Sequence, residues 1–338
     1  MALERAWYNT KVAPYLWLLL PLHALFVVLS TLRRWRYRLI PAKALPVPVI
    51  VVGNISVGGT GKTPVTLALV EHLKARGEQP AIISRGYGGK GPFPLTVSAS
   101  SAAAACGDEP LLLAQRAKVP VVVAPDRRAA AMQALRDAPG TTVLISDDGL
   151  QHYALPRQFE IAVIDGRRGL GNGWRLPIGP LREPTRRLGD VDAMIINGDL
   201  AESPSLADQL RALNHCYSMS LQPSNWRRVS DDDEVTALPQ GSTLALAGIG
   251  HPQRFFDTVR ALESREFATR SYADHQSFDA HDAEQLKSYD VLLMTEKDAM
   301  KWRGIAHQDC YYLPVTADLP ETFWRHLDAT LKRFNHGA

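Results

Sequence analysis

Apolar residues fall into two kinds of run along this chain. One run is long: residues 12–31 (VAPYLWLLLPLHALFVVLST) carry no charged side chain. A helix of that length rises about 30 Å, roughly the hydrocarbon thickness of a bilayer. The other runs are short, rich in Val and Ile, and separated by stretches with helical spacing. They predict strands at 47–53, 80–84, 119–124, 142–147, 160–165 and 191–197, and helices at 63–76, 108–117, 126–137 and 205–214. Continuous β-branched runs bounded by helices imply a parallel sheet covered on both faces. Ligands of such sheets bind beyond the carboxyl ends of the strands. Residues 223–241 are polar and turn-rich, with Asp231, Asp232, Asp233 and Glu234 read as a solvated loop, and they mark a boundary. A second alternation follows, with strands at 244–250 and 291–294 and a helix at 252–262. The expected organisation is a membrane-association segment at 1–40, a core α/β domain at 41–221 and a smaller α/β domain at 222–338.

Composition narrows the class only a little. The 338 residues are 46% hydrophobic and 22% charged, ordinary globular values. A net charge of +3 is too small to argue for nucleic acid, and no nucleic-acid motif is present. Cys106, Cys216 and Cys310 are widely spaced with no C-x-x-C pair, which suits a reducing cytoplasm. The long apolar run is followed at once by Arg33, Arg34, Arg36, Arg38 and Lys43, where a signal peptide would show small residues at a cleavage site. Those cations belong on the cytoplasmic side or against anionic headgroups. Trp17, Trp35 and Tyr37 suit an interfacial position, while Pro14, Pro21 and His23 weaken a simple span. Spanning the bilayer and lying in its interface both stay open.

The most specific signal is the run Gly58-Gly59-Thr60-Gly61-Lys62-Thr63, between a predicted strand and a predicted helix. Backbone N–H groups in such a loop converge on phosphate oxygens. Lys62 then reaches the β/γ-phosphates and the Thr63 hydroxyl ligates Mg²⁺. The general pattern has glycine at the first position, whereas Ser56 stands here, with Gly53 the nearest earlier glycine. The pair Gly58 and Gly59 can supply the lost freedom.

Other motifs fit a phosphate site without requiring one. The strand at 142–147 delivers Asp147-Asp148-Gly149-Leu150-Gln151-His152, readable as a turn or as a Mg²⁺ contact. Asp108 and Glu109 in Gly107-Asp108-Glu109-Pro110 open a helix, as an N-cap or as a general base, which His275 of Asp274-His275-Gln276-Ser277-Phe278 can assist. Residues 165–188 hold Arg167, Arg168, Arg175, Arg182, Arg186 and Arg187 in a glycine- and proline-rich loop suited to binding phosphate. Ser84-Arg85-Gly86-Tyr87-Gly88-Gly89 follows the second strand, its glycines allowing a ligand close to the backbone and Tyr87 able to stack or hydrogen-bond.

Taken together, GNISVGGTGKTP (53–64), SRGYGG (84–89), GDEP (107–110), DDGLQH (147–152), PIGPLREP (177–184), DHQSF (274–278) and TEKDAMK (295–301) closely resemble the tetraacyldisaccharide 4′-kinase family of lipid A biosynthesis. The segments occur in that order across nearly the whole chain, with Leu150 where the family commonly has an aromatic residue. The resemblance implies a P-loop NTPase-like parallel sheet with helices on both faces, a smaller C-terminal α/β domain and an N-terminal hydrophobic membrane helix. It implies ATP and Mg²⁺ as cofactors. The acceptor is a tetraacyldisaccharide 1-phosphate phosphorylated at its 4′-hydroxyl to give lipid IVA, at the cytoplasmic face of the bacterial inner membrane. No nucleic-acid partner is expected, and the chain is expected to act as a monomer. Matching positions carry the family's roles. Gly58, Gly59, Thr60, Gly61, Lys62 and Thr63 bind nucleotide, and Thr63, Asp147 and Glu183 belong to the Mg²⁺ region. Asp108 is the base, paired with His275. Tyr87, Glu109, Asp148, His152 and Arg182 are further active-site positions. Two rival readings remain: a membrane-attached P-loop ATPase switch, whose loop carries a lysine where Val57 stands, and a soluble kinase or synthetase of the same fold, which residues 12–31 argue against.

Overall fold

A computed structural model describes residues 2–9, 12–40, 42–198, 210, 215–273, 276, 278–305 and 309–336. The helix expected at 205–214 lies outside the described residues except for Leu210, and His275 lies outside them too.

The N-terminus is helical: α1 (Ala2–Trp7), a 3-10 turn (Pro14–Leu19) and α2 (Leu20–Leu39). Pro14 and Pro21 each fall in the first turn, where a missing N–H costs nothing, so they start these helices without breaking them. The 26 residues of Pro14–Leu39 are long and apolar enough to cross a membrane, and Leu16 is the one among them that is buried. Leu22, Leu25, Val28, Leu32, Trp35 and Leu39 point to solvent. The opposite side of the helix touches the body of the protein. His23 Nδ1 lies 3.0 Å from the Arg175 carbonyl oxygen, Arg175 donates to Ser30 Oγ at 3.2 Å, and Arg34 pairs with Asp190.

Two sheets follow. Strands β1 (Val49–Gly53), β2 (Pro80–Ser84), β4 (Val121–Val123), β5 (Val143–Ser146), β6 (Phe159–Asp165) and β7 (Ala193–Asn197) are buried throughout their length. These are the runs read as strands from the sequence. With β3 (Leu95–Val97), β8 (Cys216–Pro223) and β15 (Val315–Asp318) they make a nine-stranded sheet, ordered β15-β8-β7-β6-β1-β5-β2-β4-β3. Every pairing from β8 to β4 is parallel, and only the two edges are antiparallel. Helices α3 (Lys62–Ala75), α4 (Ala103–Cys106), α5 (Asp108–Ala117) and α6 (Arg127–Asp137) join these strands.

The second sheet is six-stranded, ordered β10-β9-β14-β13-β11-β12. Its strands are β9 (Trp226–Arg228), β10 (Glu234–Val235), β11 (Thr243–Ala247), β12 (Ala268–Ser271), β13 (Val291–Thr295) and β14 (Cys310–Leu313). Helices α7 (Pro252–Leu262), α8 (Ala280–Gln285) and α9 (Glu296–Trp302) accompany it.

The chain crosses between the sheets twice, after Pro223 and again at Pro314, and the Ser224 N–H donates to the Pro314 carbonyl at 2.9 Å. After the second crossing β15 pairs with β8, and α10 (Glu321–His336) buries Phe323, Leu327 and Leu331 in the core of the first sheet. The unit expected at 222–338 is therefore divided between the sheets. The free edge of β8 and the apolar face of the last helix draw the chain back, each such side chain contributing about 1.5–3 kcal/mol on burial.

Candidate active site

Strand β1 ends at Gly53 and α3 begins at Lys62, so the loop between them lies at the carboxyl end of the central strand. Gly61 caps α3 in the left-handed region (φ 96°), and a side chain there would meet Asn197 Nδ2 at 2.5 Å. That amide donates to the Thr60 carbonyl at 3.0 Å, while Asn54 Nδ2 donates to Thr60 Oγ1 at 3.4 Å. Ser56 forms an antiparallel bridge with Leu181. The flanking bonds are Val57 N–H to the Pro180 carbonyl at 2.9 Å and Arg182 N–H to the Ile55 carbonyl at 2.7 Å. Extended backbone at that position needs no glycine, which explains the departure from the usual pattern. It also explains PIGPLREP, which braces the phosphate loop from behind.

A cavity of about 730 Å³ opens over this loop. Of the residues singled out in the sequence, Gly58, Gly59, Lys62, Tyr87, Glu109, Asp147, Asp148, Arg182 and Glu183 line it. Lys62 Nζ is 3.5 Å from Asp148 Oδ1, and Arg182 Nη1 is 3.2 Å from Asp148 Oδ2. Burial opposes ionisation of Asp148, but the Lys62 and Arg182 charges prevail and hold its carboxyl at about 2. Asp147, completely buried at the end of β5, is pushed the other way. Burial first, then the charges of Glu109 and Asp148, raise it to about 7 against the pull of Lys62 and Arg127. The two adjacent carboxylates are thus shifted in opposite directions, Asp147 upward chiefly by burial and Asp148 downward by its two cations. Thr66 Oγ1 donates to Asp147 Oδ1 at 3.3 Å. Glu183 is buried, with Oε1 accepting from Gln151 Nε2 (2.8 Å) and Oε2 from the Tyr153 hydroxyl (2.6 Å).

Other expected residues lie elsewhere. Thr60, Gly61 and Thr63 belong to the loop and first helical turn but do not line the cavity. Asp108 lines a neighbouring cavity of about 590 Å³, and Tyr87 borders both. His152 faces neither: its Nε2 accepts the Arg127 N–H at 3.3 Å, and burial with the Arg127 charge lowers it to about 4. It is therefore a neutral acceptor at the start of α6. The arginine-rich loop divides. Arg175, Arg182 and Arg186 reach the larger cavity, whereas Arg167 pairs with Asp257, Arg168 donates to the Gly250 carbonyl, and Arg187 is buried against Glu160 at 2.5 Å.

Several lining residues were not singled out in the sequence for this site. Arg127 is buried, donates to the carbonyls of Asp147 (3.3 Å) and Ala124 (3.2 Å), and is lowered to about 10 by burial. Arg33, Arg34, Arg85 and Lys297 add positive charge to the same cavity. Phe26, Leu29 and Ser30 of α2 line it as well, so the exposed apolar helix and the phosphate loop share one space.

Gly107 sets the start of α5. It sits at φ 94°, and a Cβ there would collide with the Tyr87 carbonyl oxygen. Gly107→Ala is expected to cost about 1–3 kcal/mol of stability, read as a lowered Tm. An unchanged Tm would contradict this packing of the 84–89 loop on the helix start.

Among the described residues no three His, Cys, Asp or Glu side chains converge as a metal cluster. Mg²⁺ does not require one, since it usually takes one or two carboxylates together with phosphates and waters. A buried Asp147, bonded to Thr66 of the first turns of α3 and within reach of the Lys62 charge, fits that donor set. The arrangement as a whole can grip a polyphosphate through loop N–H groups and lysine, neutralise it with arginines, and present a carboxylate-bearing helix start to an incoming hydroxyl.

Comparison with known proteins agrees with this geometry. A family model described as tetraacyldisaccharide-1-P 4′-kinase (LpxK) matches residues 15–332. A tetraacyldisaccharide 4′-kinase of Tolumonas auensis is 46% identical over 99% of this chain and 99% of that protein. One of Dechloromonas aromatica is 47% identical over 94% of this chain and 93% of its own length. The crystal structure of LpxK from Aquifex aeolicus in complex with ATP superposes with a TM-score of 0.77 at 27% identity, covering 94% of this chain and 99% of that one. The chain belongs to the tetraacyldisaccharide-1-P 4′-kinase family.

Proposed function

We propose that this chain transfers the γ-phosphate of ATP to the 4′-hydroxyl of a tetraacyldisaccharide 1-phosphate, forming lipid IVA. The observation that carries this reading is that Phe26, Leu29 and Ser30 of the exposed helix line the same cavity as Gly58, Gly59 and Lys62. An acyl-chain anchor and a phosphate donor site meet there. A nucleotide switch would have no need of that union.

In this reading Gly58, Gly59, Thr60 and Gly61 wrap the phosphates, and Lys62 neutralises the transferred group. Thr63 and Asp147 would hold Mg²⁺, which would supply further charge neutralisation, with Glu183 lining the same cavity. Asp108 accepts the proton of the attacking hydroxyl and His275 assists it. Tyr87, between the two cavities, borders the path of the acceptor, with Glu109 beside it. Arg182 and Asp148 orient Lys62, and His152 supports the turn that carries Asp147. The two sheets act as two lobes, the second formed by residues 224–314. One chain carries every one of these groups, so the monomer is the working unit.

Helix α2 lies in the interface at the cytoplasmic face of the inner membrane. Contacts at His23, Ser30 and Arg34 favour this over a span, because they hold the helix along the protein surface. A lipid with four acyl chains stays in the bilayer, each buried CH₂ being worth about 0.8 kcal/mol, so the enzyme must come to it. Leu22→Asp with Leu25→Asp is expected to weaken vesicle binding by about 10²-fold or more, since each apolar side chain is worth about 1.5–3 kcal/mol. Unchanged flotation with anionic vesicles would contradict the attachment. The function itself is tested by isolating the lipid product formed with ATP and locating the new phosphate by phosphorus NMR. A phosphate at the 4′ position is expected, and a product phosphorylated elsewhere or not at all would refute the reading.

A further inference from the structure

The segment TEKDAMK runs into α9 of the second sheet, and Glu296, Lys297 and Lys301 of it face the helix that begins at Asp108. Arg116 Nη1 of α5 donates to both oxygens of Glu296 (2.6 and 2.7 Å), and Lys297 Nζ donates to Glu109 Oε1 at 3.0 Å. Lys301 Nζ lies 3.9 Å from Asp108 Oδ2 and 3.7 Å from Asp298 Oδ1. Its side chain is only 6% exposed, and among the described residues the ammonium has no hydrogen-bond partner. Keeping an ammonium there is costly unless carboxylates compensate it. Asp298 is fully buried and fixed: its Oδ2 accepts the Gly248 N–H (2.9 Å) and the Thr295 hydroxyl (2.6 Å), which leaves Oδ1 toward Lys301.

We propose that Lys301 is a positioning residue that acts through Asp108. Asp298 anchors the ammonium from the second sheet, and the ammonium fixes the Asp108 carboxylate at the start of α5. The reacting carboxylate is thereby held from both lobes. The inference rests on the reading of Asp108 as the base, and it adds that the base works only with the second lobe docked against α5. The glutamate and lysine pairs at Glu296 and Lys297 keep α9 in that register.

Misplacing a reacting group by about 1 Å costs on the order of 10²-fold in rate. Lys301→Met is therefore expected to lower kcat by about 10- to 100-fold with KM for ATP unchanged. Lys301→Arg, which keeps the charge, should restore most of that loss. In an Asp108→Asn background the Lys301→Met change should cause no further loss, because two residues acting as a unit are not additive. Should Lys301→Met fail to fold, Lys301→Gln carries the same comparison. A kcat within twofold of wild type for Lys301→Met, beside an impaired Asp108→Asn, overturns the positioning role alone. Full additivity in the double variant, or an arginine no better than methionine, also overturns it. Wild-type turnover in Asp108→Asn instead removes the base, and the role of Lys301 with it.

Discussion

Lys62→Ala is expected to reduce kcat/KM for ATP by about 10³-fold or more, with KM for ATP rising as kcat falls. Lys62 serves the site in three ways. It opens α3 directly behind Gly61, so its ammonium is carried to the phosphates by the helix start itself. It holds Asp148 ionised together with Arg182, at 3.5 and 3.2 Å. It also draws down the buried Asp147, already raised to about 7. Without Lys62 that carboxyl is pushed further up, so its grip on a divalent cation weakens. Loss of one preorganised electrostatic partner alone is worth about 10²–10³ in kcat, and the failure of the Asp147–Asp148 pair adds to it. Steady-state kinetics over a range of ATP concentrations reads both parameters. A loss below tenfold would mean that Arg127, Arg85 and the other cavity arginines carry the phosphates instead.

Asp108→Ala is expected to lower kcat by about 10²–10⁴-fold and to leave ATP binding nearly unchanged. The asymmetry comes from position. Asp108 lines the smaller cavity and is absent from the lining of the larger one, which holds Lys62. Glu109, next in sequence, lines the larger cavity and raises Asp147 by its charge, so Glu109→Gln should disturb the metal end in a way Asp108→Ala does not. Titration calorimetry with ATP beside turnover measurements separates the two. Wild-type turnover in Asp108→Ala removes it from the chemistry, and a parallel loss of ATP affinity would place it in the nucleotide site.

The buried parallel strands were legible because burial on both faces leaves a continuous apolar run, as in Val49–Gly53 and Ala193–Asn197. Some strands that were not legible are those whose own residues do not demand it, whereas β14 is buried along its length and escaped notice because CYYL is a run of only four residues. Strand β12 (ATRS) is exposed along its length and pairs with β11, and β8 alternates between exposed positions and half-buried or, at Met219, buried ones. The phosphate loop, both aspartates after β5 and the GDEP helix start stood out from their order along the chain, and Lys62, Asp147, Asp148 and Glu109 line one cavity with Asp108 at its neighbour. Arg127 was not, since APDRRAAAMQAL reads as an ordinary helix start whose arginines face solvent. Only the fold turns that side chain under Asp147. The arginine-rich loop was half readable, because composition cannot tell Arg182, which reaches Asp148, from Arg187, which neutralises the buried Glu160. Charges in TEKDAMK had no meaning until α9 was set against α5.

The most direct test follows radiolabelled γ-phosphate from ATP, offered with a tetraacyldisaccharide 1-phosphate in mixed micelles. Label recovered in the lipid, absent without the disaccharide and nearly lost in Lys62→Ala, is the predicted result. Label released only as free phosphate, at a rate indifferent to the lipid, would contradict phosphoryl transfer and leave a membrane-attached ATPase in its place.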